Sequence, residues 1–214
     1  DALTPYLADV DANTYSRLVG DAITGGHDPR EVVLLEIQPD KQKTRPDFAV
    51  TEQTWGVRAI DLGDLQRDGR RLFYDRDGVR TPIARIYNRA IPDQLERMGR
   101  AWPFRADDPV DVEWCGTPAW YFRISKFSIP WLKHRCVPDT RFLHEIERLP
   151  GNRDGYLLKP LFSFAGGGII FAPTDEQIAE IPDDQRANYI LQERIQFAPV
   201  IETLEGPTQA EIRV

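Results

Sequence analysis

The residues best suited to chemistry lie together in one stretch, 156–170, YLLKPLFSFAGGGII. Lys159 precedes Pro160, and a residue before proline is pushed out of the helical region into extended backbone. The lysine is therefore expected at a strand's end with its ammonium projecting to one side. Shortly after it comes Ser163, and then Gly166, Gly167 and Gly168 in succession. Successive glycines let backbone N–H groups approach an anion closely, in conformations other residues avoid. A strand-borne lysine beside an amide-rich loop is a sensible phosphate clamp. The same residues would also serve as a plain hairpin loop with a surface lysine. No Gly-Lys-Ser/Thr closes the run and the lysine comes before the glycines, so this is not a P-loop. The run leads into β-prone Ile169, Ile170 and Phe171 instead of a helix, which excludes the dinucleotide-binding fingerprint. A glycine-rich flap between two antiparallel strands is the geometry these exclusions leave.

A second stretch, 189–195, reads YILQERI. Ile190 and Leu191 anchor a strand, and Gln192, Glu193 and Arg194 make its exit polar. Such an exit offers backbone and carboxylate groups to the edge of a base, or it is simply where a strand meets water.

Several elements must position these groups. Leu3, Tyr6, Leu7, Val10, Tyr15, Leu18 and Val19 carry helical spacing, ended by Gly25 and Gly26. Residues 31–37 (EVVLLEI) are apolar on both faces, as in a strand covered on both sides of an α/β sheet. A helix over 46–55 and a strand over 58–62 follow, which suggests a right-handed βαβ unit. Runs 71–74 and 79–81 flank Asp77-Gly78, a hairpin signal. A strand is expected over 82–88 and helices over 92–102 and 140–149. Beyond Gly151, short strands are expected over 156–159, 168–172 and 189–195. A helix over 174–180 joins them, with Thr174 and Gln177 spaced as a capping box. The start of a last strand falls at 210–214. Domain boundaries are expected at 1–112, a connector with a central helix at 113–150, an antiparallel subdomain at 151–198, and the start of a further element at 199–214.

The 214 residues carry 27 Lys+Arg against 34 Asp+Glu, a net charge of −7 that argues against a general nucleic-acid or anionic-membrane binder. The 41% hydrophobic and 29% charged fractions are those of a globular domain, and no apolar run reaches the roughly 20 residues of a membrane span. Two cysteines, Cys115 and Cys136, make no disulfide framework, so a cytoplasmic setting is the expectation. No secretory signal opens the chain, which starts on Asp1 instead of Met.

The order of the pieces adds to their individual signals. Ser125-Lys126, Pro138-Asp139-Thr140, Leu158-Lys159-Pro160, Ser163 to Gly168, Gln192-Glu193-Arg194 and Glu211-Ile212-Arg213 follow one another. This succession, over 121–214, resembles the ATP-grasp superfamily, nearest to its glutathionylspermidine-synthase-like branch of carboxylate–amine ligases. The resemblance implies an α/β chain, with a Rossmann-like leading domain before a partial ATP-grasp α+β domain. By that resemblance Lys126 is the first phosphate-reaching lysine and Lys159 the second. Ser163, Gly166, Gly167 and Gly168 belong to the flap that closes over the phosphates. Glu193 would face the adenine amino group, with Gln192 beside it and the backbone of Arg194 and Ile195 towards the ring nitrogens. Arg213 would serve catalysis near the γ-phosphate or acyl-phosphate. Phosphoryl transfer needs positioning and positive charge more than covalent help, which suits this set.

The superfamily's Mg²⁺ ligands, an acidic residue and a later Glu-x-Asn pattern, are expected downstream of Arg213, where this sequence stops. Glu202, Glu205 and Glu211 are poor replacements. The expected activity is thus an ATP- and Mg²⁺-dependent ligation of a small-molecule carboxylate to an amine or thiol, represented by an incomplete chain. An ATP-binding module without catalysis and a nucleotide-free α/β scaffold are the alternatives. Four of the five tryptophans lie between Trp102 and Trp131 and are expected to form an apolar seam between domains. His134 and Cys136 lack the second pair a zinc site needs. Arg67, Arg70, Arg71, Arg76 and Arg80 interleave with Asp68, Asp75 and Asp77, a salt-bridged surface and not a nucleic-acid stripe.

Overall fold

A computed structural model of the chain describes Tyr6 and residues 10–104, 108–123, 125–163 and 166–209, apart from the side chains of Asp93, Tyr121 and Phe122. It divides into two units, Asp1–Tyr121 and Phe122–Val214.

In the leading unit, helix α1 (Ala12–Thr24) starts where the Asp11 carboxylate accepts from the Thr14 N–H at 2.6 Å and stops at Gly25, φ 60°. This left-handed cap costs glycine little. Strand β1 (Val32–Glu36) is buried at every position, as its unbroken apolar run predicts. Helix α2 (Arg45–Trp55) then returns the chain to β2 (Arg58–Asp61), which pairs parallel with β1. An antiparallel sheet follows: β3 (Gln66–Asp68), β4 (Arg71–Arg76) and β5 (Val79–Ile83). The β4–β5 turn has Asp77 and Gly78 at φ 57° and 82°, the two positive angles a tight two-residue hairpin requires. Strand β6 (Arg85–Asn88), helix α3 (Pro92–Arg97) and β7 (Glu113–Cys115) complete a parallel sheet of order β2-β1-β6-β7.

Two expectations shift in this unit. The run 82–88 serves two sheets, with Pro82 and Ile83 in β5 and the remainder in β6; Ala84 makes the corner, its N–H donating to Glu31. The helix expected over 92–102 ends at Arg97, because Gly99 takes φ 62° and Arg100 is drawn to Asp61. The aromatics also divide. Trp102, Phe104 and Trp114 pack in this unit's core, while Phe127, Trp131 and Phe142 contact one another in the second unit. On the arginine-rich hairpin surface Arg80 pairs with Asp68 at 3.7 Å, while Arg67 and Arg70 pair with Asp108 and Asp111, at 2.6 and 2.7 Å, not with the interleaved hairpin aspartates.

In the second unit a helical turn, α4 (Trp120–Arg123), begins on the leading side of the division and is followed by a 3₁₀ segment, Lys126–Trp131. The helix expected over 140–149 is not there. Thr140–Phe142 is strand β8 and Leu143–Glu145 a 3₁₀ turn. Thr140 and Phe142 point inward and Arg141 outward, a two-residue period that pairing across a sheet favours over a helix. Strands β9 (Tyr156–Pro160), β10 (Ile170–Phe171) and β11 (Tyr189–Glu193) complete an antiparallel sheet of order β10-β9-β11-β8, with helix α5 (Asp175–Ala179) between β10 and β11. Both halves of the Thr174–Gln177 capping box form. A two-stranded hairpin, β12 (Ile201–Thr203) with β13 (Gly206–Thr208), follows. The strand expected over 210–214 lies outside the described residues. Among the described residues no helix is long and apolar enough to cross a membrane.

Candidate functional site

The two faces of the β10-β9-β11-β8 sheet differ in chemistry. Registers Leu191↔Leu158 and Ile190↔Lys159, with strand alternation, place Leu158 and Leu191 on one face. They pack there with Leu143, Ile178 and Ile181 in a buried cluster that closes this side. The opposite face carries Lys159, Ile190 and Phe142 in one row and Leu157, Gln192 and Thr140 in the next. Phe171, opposite Leu157, is 61% exposed on that same face. Ile190, Phe142, Thr140 and Gln192 are buried on this face too, Phe142 and Ile190 in a cluster with Leu161, so its accessible part is the half-buried Lys159 and the exposed Phe171.

On that side a chain of hydrogen bonds fixes Lys159. Its ammonium donates to Gln192 Oε1; Gln192 Nε2 donates to Thr140 Oγ1 at 3.0 Å; Thr140 Oγ1 donates to the Pro138 carbonyl at 2.9 Å. Gln192 and Thr140 are 6% and 2% exposed, so the anchor is internal. Partial burial pushes the Lys159 ammonium below its ordinary pKa, since leaving water penalises the charged form. An anion arriving at Lys159 would relieve that penalty.

The flap lies as its residues imply, in the connection between antiparallel β9 and β10. Gly166 and Gly168 take φ 77° and 72°, where a side chain is strained. A Cβ on Gly168 would also stand 2.9 Å from Pro160 Cγ, so the flap's end packs close over the residue after Lys159. Gly167 sits exposed between them, and Phe164 and Ala165 are outside the described residues. At the flap's start Lys126 donates to the Ser163 carbonyl at 3.0 Å and to Ser163 Oγ at 2.6 Å. Lys126 thus sits at the flap's root, on Ser163, and Lys159 on β9 just before the flap, held by Gln192.

The strand exit is less uniform. The N–H of Glu193 donates to Asp139 and that of Arg194 to Gly155, at 2.8 and 2.7 Å. The Arg194 amide is therefore committed to the sheet edge. The Arg194 carbonyl and the Ile195 amide make no hydrogen bond among the described residues. The Arg194 guanidinium lies over the Phe171 ring, 5.5 Å from its centroid. By alternation the Glu193 side chain, exposed, belongs to the face opposite Gln192 and Lys159. Arg213 and Glu211 lie outside the described residues.

Sequence reasoning counted Thr140 in the succession without a role of its own and read Phe171 only as part of a β-prone run. Pro138, two residues before Thr140, was the available signal for the first; nothing marks Phe171 until the register is known. No group of three His, Cys, Asp or Glu gathers as a metal site among the described residues. His134 instead accepts the Cys136 N–H at 3.2 Å.

No protein-family model matches the chain, and no curated protein sequence matches it. Solved structures do. A glutathione synthetase-like effector (GSS30) from Globodera pallida, in apo form, aligns over 85% of this chain and 45% of its own, with 11% identity and a TM-score of 0.51. A RimK domain ATP-grasp protein from Sphaerobacter thermophilus aligns over 77% of this chain and 64% of its own, with 12% identity and a TM-score of 0.42. The chain spans under half the length of the first of these. At such low identity the likeness speaks for architecture alone. The chain has a mixed α/β fold, with a parallel and an antiparallel sheet in the leading unit and an antiparallel sheet in the second, an architecture similar to that of the glutathione synthetase-like effector.

Proposed function

We propose that the chain belongs to an ATP-dependent ligase that joins a small-molecule carboxylate to an amine or thiol. The observation that carries this reading is Lys159: a half-buried ammonium held by Gln192 on the face of the sheet that carries Phe171, beside a glycine flap. Lys159 would hold phosphate oxygens, and the amides of Gly166, Gly167 and Gly168 would fold over them. Lys126 would exchange its Ser163 oxygens for phosphate oxygens. Phe171 and Leu157 supply an apolar platform for the base, and the Arg194 carbonyl and Ile195 amide supply an acceptor and a donor at its edge. Arg213 keeps its sequence-based role near the transferring phosphate.

In the reaction, a carboxylate oxygen attacks the γ-phosphorus and ADP departs. The amine or thiol then attacks the acyl carbon, phosphate departs, and the nucleophile loses its proton. This chain's residues bind, neutralise and exclude water; the carboxylate gains its leaving group from ATP itself. Mg²⁺ accompanies ATP in this reading, and no step is routed through residues of this chain that would hold it. Titration of the chain with MgATP, beside Lys159→Ala, tests the proposal. Saturable binding that the substitution weakens supports it; equal affinity in both proteins overturns the assignment of Lys159.

A further inference from the structure

The leading unit holds a second polar site that the nucleotide reading does not use. In the sheet of order β2-β1-β6-β7, the chain leaves β1 towards β2 on one side and later returns to β6 on the other. Strand order therefore reverses between β1 and β6. Open parallel sheets bind ligands at the carboxyl ends of the strands at such a reversal. The residues there are Glu36, last in β1, and Arg89, just after β6, whose N–H donates to the Leu35 carbonyl at 2.8 Å. The register Leu34↔Tyr87 continues to Glu36 beside Arg89, so both rise on the same face, from strands about 4.8 Å apart.

These opposite charges do not close on each other. Glu36 is 6% exposed and forms no ion pair among the described residues; Oε1 accepts the Ile37 N–H at 2.8 Å, and no hydrogen bond reaches Oε2. Arg89, half-buried, lies over the Phe48 ring at 5.4 Å from its centroid and forms no ion pair among the described residues. Their neighbour shows what a satisfied carboxylate looks like here. Asp61, paired in register with Glu36, accepts from the Gly63 amide at 2.7 Å and from Arg100 at 2.6 and 3.2 Å. Burial holds the Glu36 carboxyl above its ordinary range, only partly offset by the Ile37 amide and then by Arg89. A buried carboxylate left with a free oxygen is costly unless something else completes it.

We infer that Glu36 and Arg89 bind the zwitterionic head of a free α-amino acid, the ammonium on Glu36 and the carboxylate on Arg89. The two protein groups present opposite charges from adjacent strand ends, as a ligand carrying both charges on one carbon requires. A dicarboxylate would leave Glu36 facing like charge, and a polyamine would leave Arg89 without a partner. The inference rests on the leading unit alone and stands whether or not the second unit binds nucleotide.

Saturation-transfer NMR on the 214-residue chain tests it, with the twenty α-amino acids in pools and with succinate and spermidine as probes that carry charge of one sign only. At least one amino acid should bind, and its N-acetyl and its amide derivative should each bind at least ten-fold more weakly. Glu36→Gln and Arg89→Gln should each weaken it at least ten-fold. Both variants should keep the far-UV spectrum and MgATP affinity of the parent, which separates this site from the nucleotide reading. Arg89 is only half-buried, so Arg89→Gln stays informative if Glu36→Gln fails to fold. No binding by any of the twenty, or binding that Arg89→Gln leaves unchanged, overturns the inference. So does succinate or spermidine binding as tightly as the best amino acid.

Discussion

Lys159 and Gln192 lie 33 residues apart in sequence and face each other across β9 and β11, the ammonium donating to Gln192 Oε1. Gln192 is itself held by Thr140, 52 residues away, so the lysine's position depends on three strands at once. The candidate phosphate group is thus oriented by buried partners and is itself only half-buried.

Replacing Lys159 by alanine should reduce MgATP affinity by about 1.5–3 kcal/mol, the worth of a hydrogen bond to a charged group. Calorimetric titration of both proteins reads this directly, and a loss below a few-fold would count against the phosphate role. Folding should survive, because removing the half-buried charge also removes its desolvation cost.

Thr140→Val keeps the shape of a side chain that is 2% exposed but removes a hydroxyl that donates to Pro138 and accepts from Gln192. Two buried partners lose their bond, which should lower stability by about 1–3 kcal/mol. Urea unfolding followed by tryptophan fluorescence checks it. An unchanged midpoint would mean that the bond chain around Gln192 contributes nothing to holding the sheet.

Gly166→Ala and Gly168→Ala both place a side chain at positive φ, costing about 1–2 kcal/mol each. They differ in surroundings: nothing lies within 4 Å of a Cβ at Gly166, whereas at Gly168 Pro160 Cγ stands 2.9 Å away. Gly168→Ala should therefore be the more destabilising, and should also disturb the position of Lys159. Thermal unfolding and MgATP titration of the pair give the order; a reversed order would contradict the close packing of the flap's end on Pro160.

Asp61 supplies a pH dependence in the leading unit. Hydrogen bonds from Arg100 first, then from the Gln38 and Gly63 amides, lower its pKa from 3.8 to about 2. A depressed folded-state pKa contributes stability that is fully present above the unfolded value near 4. That contribution is lost as pH falls through about 2, and amounts to about 2 kcal/mol. Urea midpoints at pH 6, 4, 3 and 2 should show the parent's advantage over Asp61→Asn shrinking across the lower half of that range. An advantage that persists undiminished at pH 2 would remove Asp61 as the source.

What the sequence determined alone was whatever neighbouring residues decide among themselves. Pro160 keeps Lys159 extended, Asp77-Gly78 makes the hairpin, Thr174 and Gln177 cap their helix, and the glycines before Ile169 make a loop and not a helix start. These effects act over about four residues, the reach of backbone sterics and capping bonds. The segment 140–149 shows where that reach ends. Its residues suit a helix locally, yet Thr140–Phe142 becomes β8 because β11 offers it a sheet edge from some fifty residues away. Tertiary structure alone decided which face each side chain takes: register put Phe171 and Gln192 on the side of Lys159 and left Glu193 on the other. It also brought Glu36 beside Arg89. A one-residue change of register would turn each of these side chains to the opposite face, and register is set by the burial of a whole sheet, not by the residues that do the chemistry.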